Sequence, residues 1–151
     1  MMAESTMDMF DILTRIQDSL HQLDDILIQE QQELSAARVN AAFLHRLTEN
    51  KNEQLSTLSH FDKLRIQMEQ TLSIYAPYDQ DPELNNCWLA IQRQTRHLSQ
   101  NNHRNGLLLE QHLKHTQDAL GFLEKKNQPN LYGPDGQSHR QGNKLGRKFG
   151  V

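Results

Sequence analysis

Between residues 35 and 40 the chain reads Ser35-Ala36-Ala37-Arg38-Val39-Asn40, and these six residues decide how it folds. On their N-terminal side an apolar seam steps alternately by three and four through Leu13, Ile16, Leu20, Leu23 and Leu27, which places five side chains on one face of a helix. The same register runs on through Leu34, Ala37, Ala41, Leu44, Leu55 and Leu58. Read straight through, the chain makes one helix to Leu72 with a long, thin stripe that needs another subunit to cover it. Read as a reversal, with small residues at the turn and Asn40 as N-cap, it makes two helices that cover each other's stripes. The reversal is preferred, because a chain that folds back buries its own apolar surface.

The second helix then carries Phe43, Leu44, Leu47, Leu55, Leu58, Phe61, Leu64 and Met68. In the first, Ile12, Ile26 and Ile28 widen the seam toward the breadth of a bundle helix, and Asp8 and Asp11 in the first turn complement its dipole. Two prolines and several turn residues in Tyr75-Ala76-Pro77-Tyr78-Asp79-Gln80-Asp81-Pro82 break the chain again. Asp81-Pro82-Glu83 is a helix start, with an Asp cap, Pro at the first helical position and an acid behind it. A third helix follows to about Lys126, its first seam Leu84, Trp88, Ile91 and Leu98 and its second Leu109, Leu113, Leu120 and Leu123. The expected fold is all-α, an elongated antiparallel bundle of three long helices over about 5–35, 40–74 and 82–126.

Between the two seams of the third helix, Asn102 and Asn105 occupy positions that should be apolar, and Gly106 follows them. A buried Asn needs a partner, and Gly in a helix interior costs ~1 kcal/mol relative to Ala. Asn102, Asn105 and Gly106 are read as a structural polar layer that fixes register or permits a kink, with close helix approach or a hinge as the functional alternative.

Composition narrows the function. Hydrophobic residues make up 36% of the 151 residues and the mean hydropathy is −0.79, which suits narrow buried stripes rather than a layered globule. No apolar run approaches the ~20 residues that span a bilayer, and the acidic start Met1-Met2-Ala3-Glu4 does not read as a signal peptide, so a cytoplasmic protein is expected. Cys87 is the only cysteine and cannot form an internal disulfide. His112 and His115 share a helical face, but no third ligand accompanies them. Asp24 and Asp25 are adjacent and diverge on a helix, and no Gly-rich phosphate loop or nucleophile elbow occurs. The expectation is a binding protein without cofactor, metal or catalytic step.

Residues 127–151 form a separate unit. They hold Arg140, Lys144, Arg147 and Lys148 against Asp135, a net +3, so the remainder carries −6 of the overall −3. Rich in Gly and Pro and poor in large apolar side chains, this segment cannot offset its ordering entropy and is expected to be disordered when alone. Leu131 and Tyr132, ahead of the turn formers Gly133-Pro134-Asp135-Gly136, suit a linear recognition segment that orders on a partner. Four cations behind an acidic body make a weak footprint for nucleic acid.

Three stretches in order carry a resemblance. These are Asn102-His103-Arg104-Asn105-Gly106-Leu107-Leu108, then Ala119-Leu120-Gly121-Phe122-Leu123, then Leu131-Tyr132-Gly133-Pro134-Asp135-Gly136-Gln137. Following two leucine-rich helices, they resemble the FlgN family of bacterial flagellar export chaperones. The polar Ser99-Gln100-Asn101 stretch is less leucine-rich than that pattern.

The resemblance implies a cytoplasmic type III secretion chaperone. Its cargo would be the hook-associated proteins FlgK and FlgL of the hook-filament junction, held unpolymerised until export. It would dock on the cytoplasmic domain of the FlhA export gate. Carried over, Leu131, Tyr132 and Gly133 become the gate contact, and Leu109, Leu113, Leu120, Phe122 and Leu123 the cargo surface. No nucleic acid and no membrane insertion are implied, and a homodimer is compatible with the pattern. The alternative is a structural coiled-coil subunit of a larger assembly, for which Asn102, Asn105 and Gly106 interrupt the seam.

Overall fold

The computed structural model describes residues 7–127. They form three helices, α1 (Met9–Leu34), α2 (Ala41–Leu72) and α3 (Pro82–Asn127). The basic segment and the gate-contact residues Leu131, Tyr132 and Gly133 lie outside the described residues.

The reversal falls where the small residues stand. α1 ends with Ser35 as C-cap, and the Asn40 side chain accepts a hydrogen bond from the Phe43 N–H at the start of α2. Glu33 fastens the turn, its carboxylate accepting the Asn40 N–H at 2.7 Å. α1 begins later than the sequence suggests. Asp8 is its N-cap rather than a first-turn residue and forms a reciprocal capping box with Asp11. At α3, the Asp81 carboxylate accepts the N–H groups of Glu83 and Leu84, as expected of that start.

Pairs across the helices fix their directions. Lys51 meets Glu30, Gln54 meets Gln22 and Arg15 lies over Phe61, so α2 runs antiparallel to α1. Gln94 lies beside His21, Arg104 reaches Gln31 and Asn105 reaches Leu27, so α3 runs parallel to α1. α1 is the shared spine. Its stripe of Ile12, Leu13, Ile16, Leu20, Leu23 and Leu27 is almost wholly buried, and it packs against both other helices. No Cα of α2 comes within 8 Å of a Cα of α3 among the described residues.

A second set of contacts closes the end where α2 turns into α3. Arg65 lies over the Trp88 ring at 4.5 Å and binds Asp62 and Glu69, each at 2.9 Å. The Tyr78 hydroxyl donates to Glu69 at 2.8 Å and Arg65 donates to the Tyr78 oxygen. Glu69 also accepts the Ala76 N–H, so one carboxylate ties the helix end to the loop. Tyr78 sits at φ 61, a left-handed conformation costly for a bulky residue, and is held there by burial to 3% exposure and by these bonds. Burial chiefly, with the Glu69 hydrogen bond and charge, pushes the Tyr78 phenol up to about 12, although Arg65 opposes the shift.

Candidate functional site

The candidate surface arises from the unequal lengths of the helices. α1 stops at Leu34, about one turn past Gln31, which Arg104 of α3 reaches, while α3 continues to Asn127. That leaves roughly 20 residues, or ~30 Å at 1.5 Å per residue, running past the end of the spine.

The stripe does not stop with the spine. From Leu98 it passes through Asn102, Asn105, Leu109, Leu113, Leu120 and Leu123 in steps that sum threes and fours, so one helical face continues. Up to Asn105 that face is buried, with Leu98 and Asn105 each at 1% exposure. Leu109 and Leu113 are half-buried. Leu120 and Leu123 are 53% and 50% exposed, and Phe122 beside them is 65% exposed. The five residues expected at the cargo surface thus grade from partly covered to bare toward the end of α3.

Where the covered part ends, a polar layer crosses the bundle. The Lys51 ammonium lies 3.2 Å from one Glu30 oxygen and 3.3 Å from the other, and donates to the Asn102 carbonyl oxygen at 3.0 Å. The Asn105 amide donates to the Leu27 carbonyl at 2.8 Å and to Glu30 at 2.9 Å. The Glu30 and Lys51 side chains are only 12% and 11% exposed. Asn102 and Asn105 therefore join α3 to both other helices. Gly106 does not take part: it is exposed, and a Cβ built there would have nothing within 4 Å.

Sequence reasoning passed over Glu30 and Lys51, although the signal was present. Glu30 lies three after Leu27 and four before Leu34, and Lys51 seven after Leu44 and four before Leu55, both on the seam. Two opposite charges at core positions of neighbouring helices are an ion pair in waiting, as the Asn pair on α3 is its acceptor and donor.

A further opening lies between α2 and α3. It is an open groove of about 690 Å³ with Ile16 as floor, Leu55, Leu58, Trp88 and Ile91 as walls, and small polar side chains such as Ser56, Ser59 and Thr95 along its rim. The Lys51–Asn102 bond and the Arg65–Trp88 stack bridge the helices on either side of it. Burial first, then the nearby Glu83 and Asp81 charges, raise the Cys87 thiol, which disfavours the reactive thiolate. Among the described residues no group of three or more His, Cys, Asp or Glu converges, and no helix is long and apolar enough to cross a membrane.

Known proteins resemble the chain over most of its length. The family profile described as "FlgN protein" matches residues 1–140. The flagella synthesis protein FlgN of Yersinia enterocolitica serotype O:8 is 37% identical over 148 residues, covering 93% of this chain and 99% of its own. That of Proteus mirabilis is 40% identical over 121 residues (80% and 83%), and that of Escherichia coli K12 33% over 138 (89% and 95%). No solved structure matches the chain. With the profile and full-length relatives in agreement, the chain belongs to the FlgN family.

Proposed function

We propose that this protein is a cytoplasmic flagellar export chaperone, a binding protein with no catalytic step, whose α3 overhang takes up apolar helices of the junction subunits FlgK and FlgL. The observation that carries the reading is the bare stripe, in which Leu120 and Leu123 are at least half exposed on a helix whose same face is buried up to Asn105, with Phe122 flanking the stripe at 65% exposure. Subunits that polymerise through apolar helices need a substitute partner before export. An exposed leucine stripe offers one, at about 25 cal/mol per Å² of apolar surface covered. The relatives' names place their own role in flagella synthesis. Delivery is assigned to the segment after Asn127, with Leu131, Tyr132 and Gly133 engaging the cytoplasmic domain of FlhA.

Co-purification with FlgK and FlgL tests the cargo half. The Leu120→Lys/Leu123→Lys protein should lose cargo while its unfolding midpoint stays unchanged, since both positions are exposed; retained cargo would move the site elsewhere. For the delivery half, Tyr132→Ala should weaken binding to the FlhA cytoplasmic domain with cargo binding intact. Equal loss of both would argue against separate sites. A permanent coiled-coil subunit fits less well, because the polar layer and Gly106 interrupt the seam it would need.

A further inference from the structure

We propose that the groove between α2 and α3 takes an apolar helix of the exported subunit as the fourth helix of a bundle. The inference rests on the reading that the chain captures such helices, and adds where one of them lies.

The three helices stand at three corners of a four-helix arrangement. Neighbouring helices in a bundle pack with their axes about 8–10 Å apart. α2 and α3 each pack in this way against α1, yet no Cα of one comes within 8 Å of a Cα of the other among the described residues. In a closed three-helix bundle each helix touches both others, whereas helices that share a neighbour without touching stand diagonally across a bundle of four. Long side chains span the gap at its two ends, Lys51 reaching Asn102 and Arg65 lying over Trp88. Between those ends lies the groove of about 690 Å³, floored by Ile16 of the spine.

Length and chemistry state what fits. From Asn52 to Asp62 the α2 wall rises ~15 Å, about three turns of a helix. The walls Leu55, Leu58, Trp88 and Ile91 are apolar, while Ser56, Ser59 and Thr95 on the rim are small, neutral and exposed. Asp62 is the one charged residue of the lining, and Arg65 already holds its carboxylate at 2.9 Å. A charge on the inward face of the occupant would be desolvated there without a partner. The occupant is therefore a helix with apolar side chains at i, i+3 or i+4 and i+7, flanked by neutral residues.

Continuity names its source. On α3 the groove wall steps from Trp88 to Ile91, Thr95 and Leu98 by three, four and three, and Leu98 opens the stripe that ends bare at Leu120 and Leu123. The groove wall and the capture surface are thus one face of one helix, so a subunit held on the stripe is already beside the groove. On α2, Ile66 lies seven residues after Ser59 on the same face and is 42% exposed, which extends the apolar wall past Asp62.

Trp88 is the only tryptophan of the chain, so fluorotryptophan places a single fluorine label in the groove wall. When unlabelled FlgK or FlgL is added to the full-length protein, the resonance should shift and lose its solvent-isotope sensitivity. Ser56→Arg/Ser59→Arg, at two exposed positions, should weaken cargo binding about 10-fold or more at an unchanged unfolding midpoint, while Ser56→Ala/Ser59→Ala binds as the native chain does. Full affinity in the arginine variant, with Leu120→Lys/Leu123→Lys still losing cargo, would overturn the groove and leave the stripe standing. Full affinity in both would remove the capture reading as well. A resonance that moves on dilution of the free chain would give the groove to a second copy. One that moves in the free Leu145→Ser/Phe149→Ser chain would give it to the protein's own terminal segment, and either result overturns the proposal.

Discussion

Replacing Lys51 by Met removes the cation of the polar layer while keeping the length of its stem. In the native bundle Lys51 neutralises Glu30 at 3.2 Å and donates to Asn102, with both charged side chains close to nine-tenths buried. After the change Glu30 keeps only the Asn105 amide, and the Asn102 oxygen loses the Lys51 donor. Breaking a buried pair from one side costs about 3–5 kcal/mol. Water reaching the remaining tenth of each side chain puts the expected loss near the bottom of that range. Glu30→Met should cost a similar amount by stranding the ammonium. The double replacement, Glu30→Met/Lys51→Met, removes both charges together and should fall within about 1 kcal/mol of the native protein, because burying two charges offsets most of what their attraction contributes. Urea unfolding of the four proteins closes a double-mutant cycle, with an expected coupling of about 5 kcal/mol. Additive single losses would show that the two charges act through water rather than on each other, and would refute the layer as a buried unit.

Leu23, at 0% exposure in the middle of the spine, should cost about 2–5 kcal/mol on replacement by Ala, read as a lower unfolding midpoint. Leu72, the last residue of α2 and 49% exposed, should cost far less under the same change. Tyr78 adds a pH dependence at the alkaline end. Its folded-state value is raised to about 12 above the ordinary 10, so the stability it contributes is complete below pH 10 and is lost as pH rises from 10 through 12. Phenolate absorbance should therefore show a late-titrating tyrosine that vanishes in Tyr78→Phe, and the variant's stability should fall less steeply over that interval. A Tyr78→Phe protein with the native alkaline profile would exclude this source.

The fold was legible because it rests on local chemistry. Heptad steps from Leu13 to Leu27 fixed the buried face of α1, Asn40 supplied a cap after small residues, and Asp81-Pro82 marked the start of α3. The start of α1 was misjudged because an Asp in the first turn and an Asp at the cap look alike until the reciprocal bond between Asp8 and Asp11 is visible. Asn102 and Asn105 were visible as misfits on an apolar face, yet their partners were not sought. Glu30 and Lys51 read as ordinary surface charges unless the seam is carried through them. The Arg65–Glu69–Tyr78 cluster was harder still. The i, i+4 spacing on α2 is readable, but the hydroxyl that completes it arrives from a loop whose path no periodicity specifies. Of the residues proposed for cargo, Leu109, Leu113, Leu120 and Leu123 could be placed on one face from sequence, with Phe122 off it. That the face is bare at Leu120 and Leu123 depends on where α1 ends relative to α3, which is a property of the bundle's register.

The central claim is that this bare end of α3 is the capture surface. Amide exchange over residues 107–125, followed in the free protein and then with FlgK or FlgL added, tests it most directly. Fast exchange in the free chain with strong protection around Leu120–Leu123 once cargo binds is the expected result. Protection already complete in the free, monodisperse protein, or exchange there that cargo leaves unaltered, would contradict it.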